Sequence, residues 1–189
     1  MPYYKKLAGE TCYLSPCLLE DADHWAEWFN DLEVTIPLGD EAYTPTSLEA
    51  EQEAIREILE DSTHVFSIVD AETDQAVGRC MLFRVDPVNR KAMLGIVIGE
   101  RNYWDQGYGQ EAVSLLLDYA FNLLNLNSVM LGTFSFNERA IRCYEKVGFK
   151  LIGRQREARI IAGAKHDLVL MDILSDEFDS PYIKPMLAR

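Results

Sequence analysis

Metal-ligand patterns, paired cysteines and long apolar runs are all missing from this 189-residue chain. Its three histidines, His24, His64 and His166, fall in no HExxH or Cys/His spacing, and Cys12, Cys17, Cys80 and Cys143 form no CxxC pair. The usual zinc and redox motifs are therefore excluded, and the expectation is four reduced structural thiols and no metal. The densest apolar run, Met93–Ile98, is far short of the about 18 residues that a membrane helix needs. No apolar signal core follows the opening Met-Pro-Tyr-Tyr-Lys-Lys, so a soluble cytoplasmic protein with no membrane partner is expected. Positive charge is also scarce: 18 Lys and Arg stand against 31 Asp and Glu, for a net charge of −13. Nonspecific phosphate-backbone binding needs clustered cations, which excludes nucleic acid and leaves cationic small molecules and basic peptides as natural partners.

What is present describes an ordinary globular chain: 48% hydrophobic and 11% aromatic residues, long enough to bury most of its apolar surface without staples. No repeat, low-complexity tract or linker divides it, which predicts one domain over residues 1–175 and an irregular tail over 176–189. Thr11–Leu14 reads as a strand, and from Leu18 the spacing of Trp25, Trp28 and Phe29 is helical. Asn30–Thr46 reads as loop, and Ser47 as the N-cap of a helix to about Leu59. Val65–Val69, a turn at Asp70–Gln75 and Val77–Val85 make a hairpin. Ala92–Ile98 is apolar at nearly every position, as a central strand covered on both faces would be. A strongly amphipathic helix follows Gly107, Val129–Phe134 is a strand, Asn137 caps a helix ending at Gly148, and Phe149–Ile160 and Asp167–Leu174 are strands.

Chemistry concentrates where an apolar strand leads to Gly107-Tyr108-Gly109 at the start of a helix. Glycines let the backbone come close, and the N–H groups of a first helical turn, at the positive end of its dipole, suit an anion. The candidate donors are the amides of Gln106–Gln110, although a Gly-x-Gly turn alone fits a tight strand-to-helix connection equally well. Gly107–Ala112 formally satisfies the dinucleotide pattern G-x-G-x-x-G/A. Against it, Gly99–Gln106 separates the glycines from the strand, and no acid stands in Asn125–Ser128, where a ribose ligand belongs.

Three blocks in order carry a different match: Ile96-Val97-Ile98-Gly99-Glu100, then Tyr103–Ala112 containing Trp104-Asp105-Gln106-Gly107-Tyr108-Gly109-Gln110, then Asn137–Phe149 ending in Tyr144-Glu145-Lys146-Val147-Gly148-Phe149. With these the chain resembles the GNAT superfamily of N-acyltransferases from about Leu14 to Leu174. It is most similar to the branch holding ribosomal-protein N-terminal acetyltransferases and diamine acetyltransferases.

The resemblance implies an α/β fold with a mixed, mostly antiparallel sheet and helices on both faces. It also implies acetyl-CoA as co-substrate, an amine-bearing acceptor and direct attack in a ternary complex. The implied cofactor contacts are Ile96, Val97 and Ile98 on a splayed strand, Trp104, the loop Gln106, Gly107, Tyr108, Gly109 and Gln110, and Asn137 and Arg142 on the later helix. Tyr144, two helical turns after Asn137 and on its face, is by similarity the general acid for the departing thiolate. Arg139 and Lys146 share that helix but read first as solvated charges, and Trp25, Trp28 and His166 as packing residues. Cys143 has no nearby histidine, so no acyl-enzyme is expected. A homodimer is compatible with the reading. A non-catalytic acyl-CoA-binding domain and a nicotinamide-dinucleotide enzyme are the alternatives.

Two positions depart from the pattern. Trp104 replaces the usual Gln or Arg at the start of the pyrophosphate loop, leaving backbone amides as the binders, and Met93 stands where the common glutamate base would be. Without that base, an amine that is partly neutral by itself is easiest to rationalise. An α-amino group with a pKa of about 8 meets this, whereas an alkylamine at about 10.4 is neutral only about one part in a thousand near neutral pH. Charge points the other way: residues 1–62 hold 15 acids and 3 bases, and residues 63–189 hold 16 acids and 15 bases. The acidic half borders the acceptor by resemblance, with Glu33, Asp40 and Glu41 as candidate acceptor-side residues.

Overall fold

Apolar stretches bounded by turn residues form the strands, and acid-led amphipathic stretches form the helices. The computed structural model describes residues 2–60 and 64–187. In chain order it contains β1 (Leu7–Ala8), β2 (Cys12–Pro16), α1 (Asp21–Asn30), α2 (Leu32–Thr35), α3 (Leu48–Glu60), β3 (His64–Asp70), β4 (Ala76–Asp86) and β5 (Lys91–Ile98). There follow α4 (Tyr108–Asn122), β6 (Ser128–Phe134), α5 (Glu138–Val147), β7 (Lys150–Ile161), β8 (Ala164–Leu174) and α6 (Ile183–Leu187). Strand order is β1-β2-β3-β4-β5-β6-β8-β7; β1–β2, β2–β3, β6–β8 and β7–β8 pair antiparallel and β5–β6 parallel. This is the expected mixed α/β class.

The chain forms two compact units. The first comprises Met1–Met81 and Ile96–Leu116. Here β2 pairs antiparallel with β1 and β3, Cys12 opposite Asp70 and Pro16 opposite Phe66. The helical spacing of Trp25, Trp28 and Phe29 on α1 puts all three into a core with Cys17, Val34, Ile55, Ala76 and Val97. The Arg79 guanidinium lies 4.5 Å from the Trp25 ring centroid and 4.4 Å from that of Phe29, a cation in reach of two ring faces. Asn30–Thr46, expected as loop, instead holds α2 and a 3₁₀ turn at Asp40–Ala42. Asp31 starts α2 by accepting from the Glu33 amide at 2.9 Å, and a four-residue helix is too short to show a period.

The second unit comprises Leu82–Gly95 and Leu117–Arg189. Its strand β6 runs parallel to β5 and antiparallel to β8, and β7–β8 is a long hairpin with irregular register at Leu151/Gly153 and Gln155/Arg159. β5 is central, but only Ala92, Leu94 and Val97 are buried and the remaining apolar residues are half-buried, so the expected cover on both faces is incomplete. The tail expected as irregular carries α6, and its residues 188–189 lie outside the described residues. Asp118, fully buried on α4, holds this segment by accepting from Ser180 Oγ at 2.6 Å and from the amides of Tyr182 at 2.8 Å and Ile183 at 3.0 Å. No described helix is long and apolar enough to cross a membrane.

Candidate active site

Gly107 adopts φ +92°, the left-handed turn that lets the chain reverse into α4 at Tyr108. Side chains around the turn hold the loop. Tyr108 Oη donates to Asp70 Oδ2, Gln106 Nε2 donates to the Asn102 carbonyl, and Tyr103 meets the Tyr108 ring edge-on at 4.9 Å. The first-turn amides of α4 have no intrahelical acceptor and are what the loop can offer an anion. Glu111, the acid of that turn, is drawn away. Its carboxylate accepts from the amides of Glu10 at 2.7 Å, Thr11 at 2.8 Å and Cys12 at 2.8 Å, and from Thr11 Oγ1 at 2.6 Å. Burial opposes ionisation there, but these donors outweigh it and hold the carboxyl below the usual range.

Two indoles hold the end of β5. Trp104 Nε1 donates to the Ile98 carbonyl at 2.7 Å, so this departure from the family pattern fixes the strand end. Trp28 Nε1 donates to Glu100 Oε1 at 3.0 Å, and its ring lies so close over Gly99 that a Cβ there would fall 2.0 Å from Cδ2. The Val77 carbonyl accepts from the amides of Gly99 at 2.9 Å and Glu100 at 3.1 Å. Beside these residues lies a cleft of about 180 Å³ lined by Glu27, Trp28, Asp31, Gly99, Glu100, Arg101 and Asn102. Arg101 pairs with Glu33 and, at 3.5 Å, with Asp31. Glu33 is thus engaged, while Asp40 and Glu41 sit on the exposed 3₁₀ turn. Sequence reasoning missed Glu27, Asp31 and Glu100 as members of this cleft. The one available signal was the place of Glu100 as the last residue of the Ile96–Glu100 block.

The β5–β6 ladder runs only from Lys91–Ser128 to Met93–Met130, although β5 continues to Ile98 and β6 to Phe134. An unpaired strand edge of this kind is what an extended ligand with amide groups can join. Met93 brings no titratable group; its sulfur is 3.8 Å from Arg84 Nη1.

On α5, Asn137 Oδ1 accepts from the Ala140 amide at 3.2 Å, and Gly148 ends the helix at φ +113°. Both caps are as expected. Tyr144 is buried at 8% exposure with its ring 5.8 Å from that of Phe149, and burial, then the neighbouring Cys143, raises its phenol well above the ordinary value. Burial also pushes the Cys143 thiol up to about 11, against the lowering influence of Lys146 and Arg139. Arg142 pairs with Glu138 at 3.1 Å on the exposed face. His166 packs edge-on against Phe136 at 4.6 Å.

This fold, with a short parallel ladder and a glycine turn opening α4, defines an acyltransferase of the GNAT type. Residues 12–150 match the family model described as acetyltransferase (GNAT) domain, and the chain belongs to that family. It is 32% identical over 162 residues to the uncharacterized N-acetyltransferase p20 of Bacillus licheniformis, covering 85% of this chain and 90% of that one. It is 28% identical over 127 residues to spermidine N(1)-acetyltransferase of Escherichia coli (strain K12), covering 67% of each. Among solved structures, the spermidine N-acetyltransferase from Vibrio cholerae in complex with CoA and spermine matches with a TM-score of 0.80 at 24% identity, covering 89% of this chain and 98% of that one. The protein is an N-acetyltransferase. The non-catalytic and dinucleotide readings give way to it.

Proposed function

We propose that the protein transfers the acetyl group of acetyl-CoA to a primary amine that carries positive charge at neutral pH, a polyamine being the acceptor class best supported. The reading is carried by the family match across residues 12–150. Its acceptor rests on the similarity to a spermidine acetyltransferase and on the acid excess of residues 1–62.

In this reading the amides of Gln106–Gln110 hold the pyrophosphate, and the β5 edge beyond Met93 pairs with the pantetheine amides. The charged amine first loses a proton to solvent water; its neutral nitrogen then attacks the thioester carbon, the C–N bond forms through a tetrahedral oxyanion, and the C–S bond breaks as the nitrogen gives up its second proton to water. Tyr144 donates a proton or a strong hydrogen bond to the departing sulfur. Because its phenol is raised by burial, hydrogen-bond donation is less demanding than full transfer. Trp104 and Trp28 keep the strand end in place, and Asn137 sets the start of the helix that bears Tyr144.

The test is release of CoA thiol with spermidine, alanyl peptides and amino sugars as acceptors, together with thermal shift by CoA and by NAD. Acceptor-dependent release with spermidine and stabilisation by CoA alone are expected. No release with any amine would overturn the reading.

A further inference from the structure

We propose that Glu100 is the residue that recognises the acceptor's ammonium group, and that Trp28 positions it. This deepens the reading above and rests on it. Glu100 follows the reacting strand with one residue between, and its amide is anchored on the Val77 carbonyl at 3.1 Å. Its carboxylate is aimed by one donor: Trp28 Nε1 engages Oε1 at 3.0 Å.

The donor itself cannot swing. One side of the Trp28 indole is against the Gly99 backbone, and the ring stacks on His24 at 5.6 Å and 22°. A carboxylate held by one rigid N–H keeps acceptor capacity for an alkylammonium, which brings three donors. Among the described residues that line the cleft, the one cation, Arg101, is drawn to Glu33 and Asp31 instead of neutralising Glu100. The cleft of about 180 Å³ has room for an aminoalkyl end beside the Glu100 carboxylate, with Glu27 and Asp31 also lining it. A fixed carboxylate in an acid-lined cleft is the chemistry that selects a charged amine, and it lies next to the strand on which transfer is proposed.

Two-substrate kinetics with spermidine, and with an alanyl peptide amide as a second probe, test this. Glu100→Gln is expected to raise the acceptor KM about tenfold or more while the KM for acetyl-CoA stays the same. Glu57→Gln, the same charge change on the exposed face of α3, is expected to leave both unchanged. Trp28→Phe keeps a ring over Gly99 but loses the N–H, so the acceptor KM should rise less. In the Glu100→Gln background it should add little, because the two residues act as one unit.

An unchanged acceptor KM in Glu100→Gln, or full additivity of the two substitutions, would overturn the assignment while leaving acetyl transfer to spermidine intact. Failure of the wild-type protein to acetylate either probe would instead overturn the proposed function, and this assignment with it. If Glu100→Gln does not fold, Glu100→Asp decides: it keeps the charge on a shorter arm, and its acceptor KM must rise for the assignment to stand.

Discussion

Tyr144 and Cys143 are neighbours on α5, both raised by burial, yet their chemical consequences are opposite. A phenol kept protonated is a proton donor, which suits a departing thiolate; a thiol kept protonated is a poor nucleophile. Tyr144→Phe should therefore lower kcat by about tenfold or more with little change in CoA binding, measured by initial rates and calorimetry. Cys143→Ser should retain turnover, and the two-substrate rate pattern should be intersecting and not parallel. Because the Tyr144 phenol is raised, its ionisation should cause no fall in kcat up to about pH 10. At this scale the sequence was legible wherever a residue acts through its own helix. The caps Asn137 and Gly148 lie within a few positions of what they bond. Glu100 was not legible, because its partner Trp28 is 72 positions away.

The elements that the sequence announces clearly are those with a long period, such as α4 and α5, or a hairpin with a defined turn. Elements set by one distant polar group were not visible. The two-residue strand β1 pairs with β2, and the turn between them is held by Glu111, about 100 residues later in the chain. That contact joins the first strands to the first turn of α4, the helix that presents the loop amides. Glu111→Ala should cost about 1–3 kcal/mol, since it strands three backbone amides and a hydroxyl, seen as a lower Tm. The carboxyl is held below its unfolded value, so its contribution is fully present above about pH 4.3 and is lost as pH falls through the folded value. The Tm gap between wild type and variant should therefore be constant near neutrality and narrow in acid. The tail was unreadable for a similar reason: α6 is short, and what orders the segment before it is the buried Asp118 on α4.

Across the whole molecule, charge is divided unevenly. Residues 1–62 carry nearly all of the net negative charge, while residues 63–189 nearly balance, which suits the proposed pairing of a cationic acceptor with a polyanionic co-substrate. Composition alone made this legible, but not which acids matter: Glu33 is taken by Arg101, and Glu27, Asp31 and Glu100 line the cleft. Exposed charges are screened over about 10 Å at 0.1 M salt, so the spermidine KM should rise with ionic strength more steeply than that of a singly charged amine. Neutralising Asp40 and Glu41 on the exposed turn should shift it less than Glu100→Gln does.

The most direct test of the central claim is mass spectrometry of a quenched reaction of the wild-type enzyme with acetyl-CoA and spermidine, with free thiol counted in parallel. One CoA released per acetylated amine, and unmodified enzyme throughout, is the predicted result. CoA release without acetylated spermidine, or an acetyl group trapped on Cys143, would contradict direct transfer.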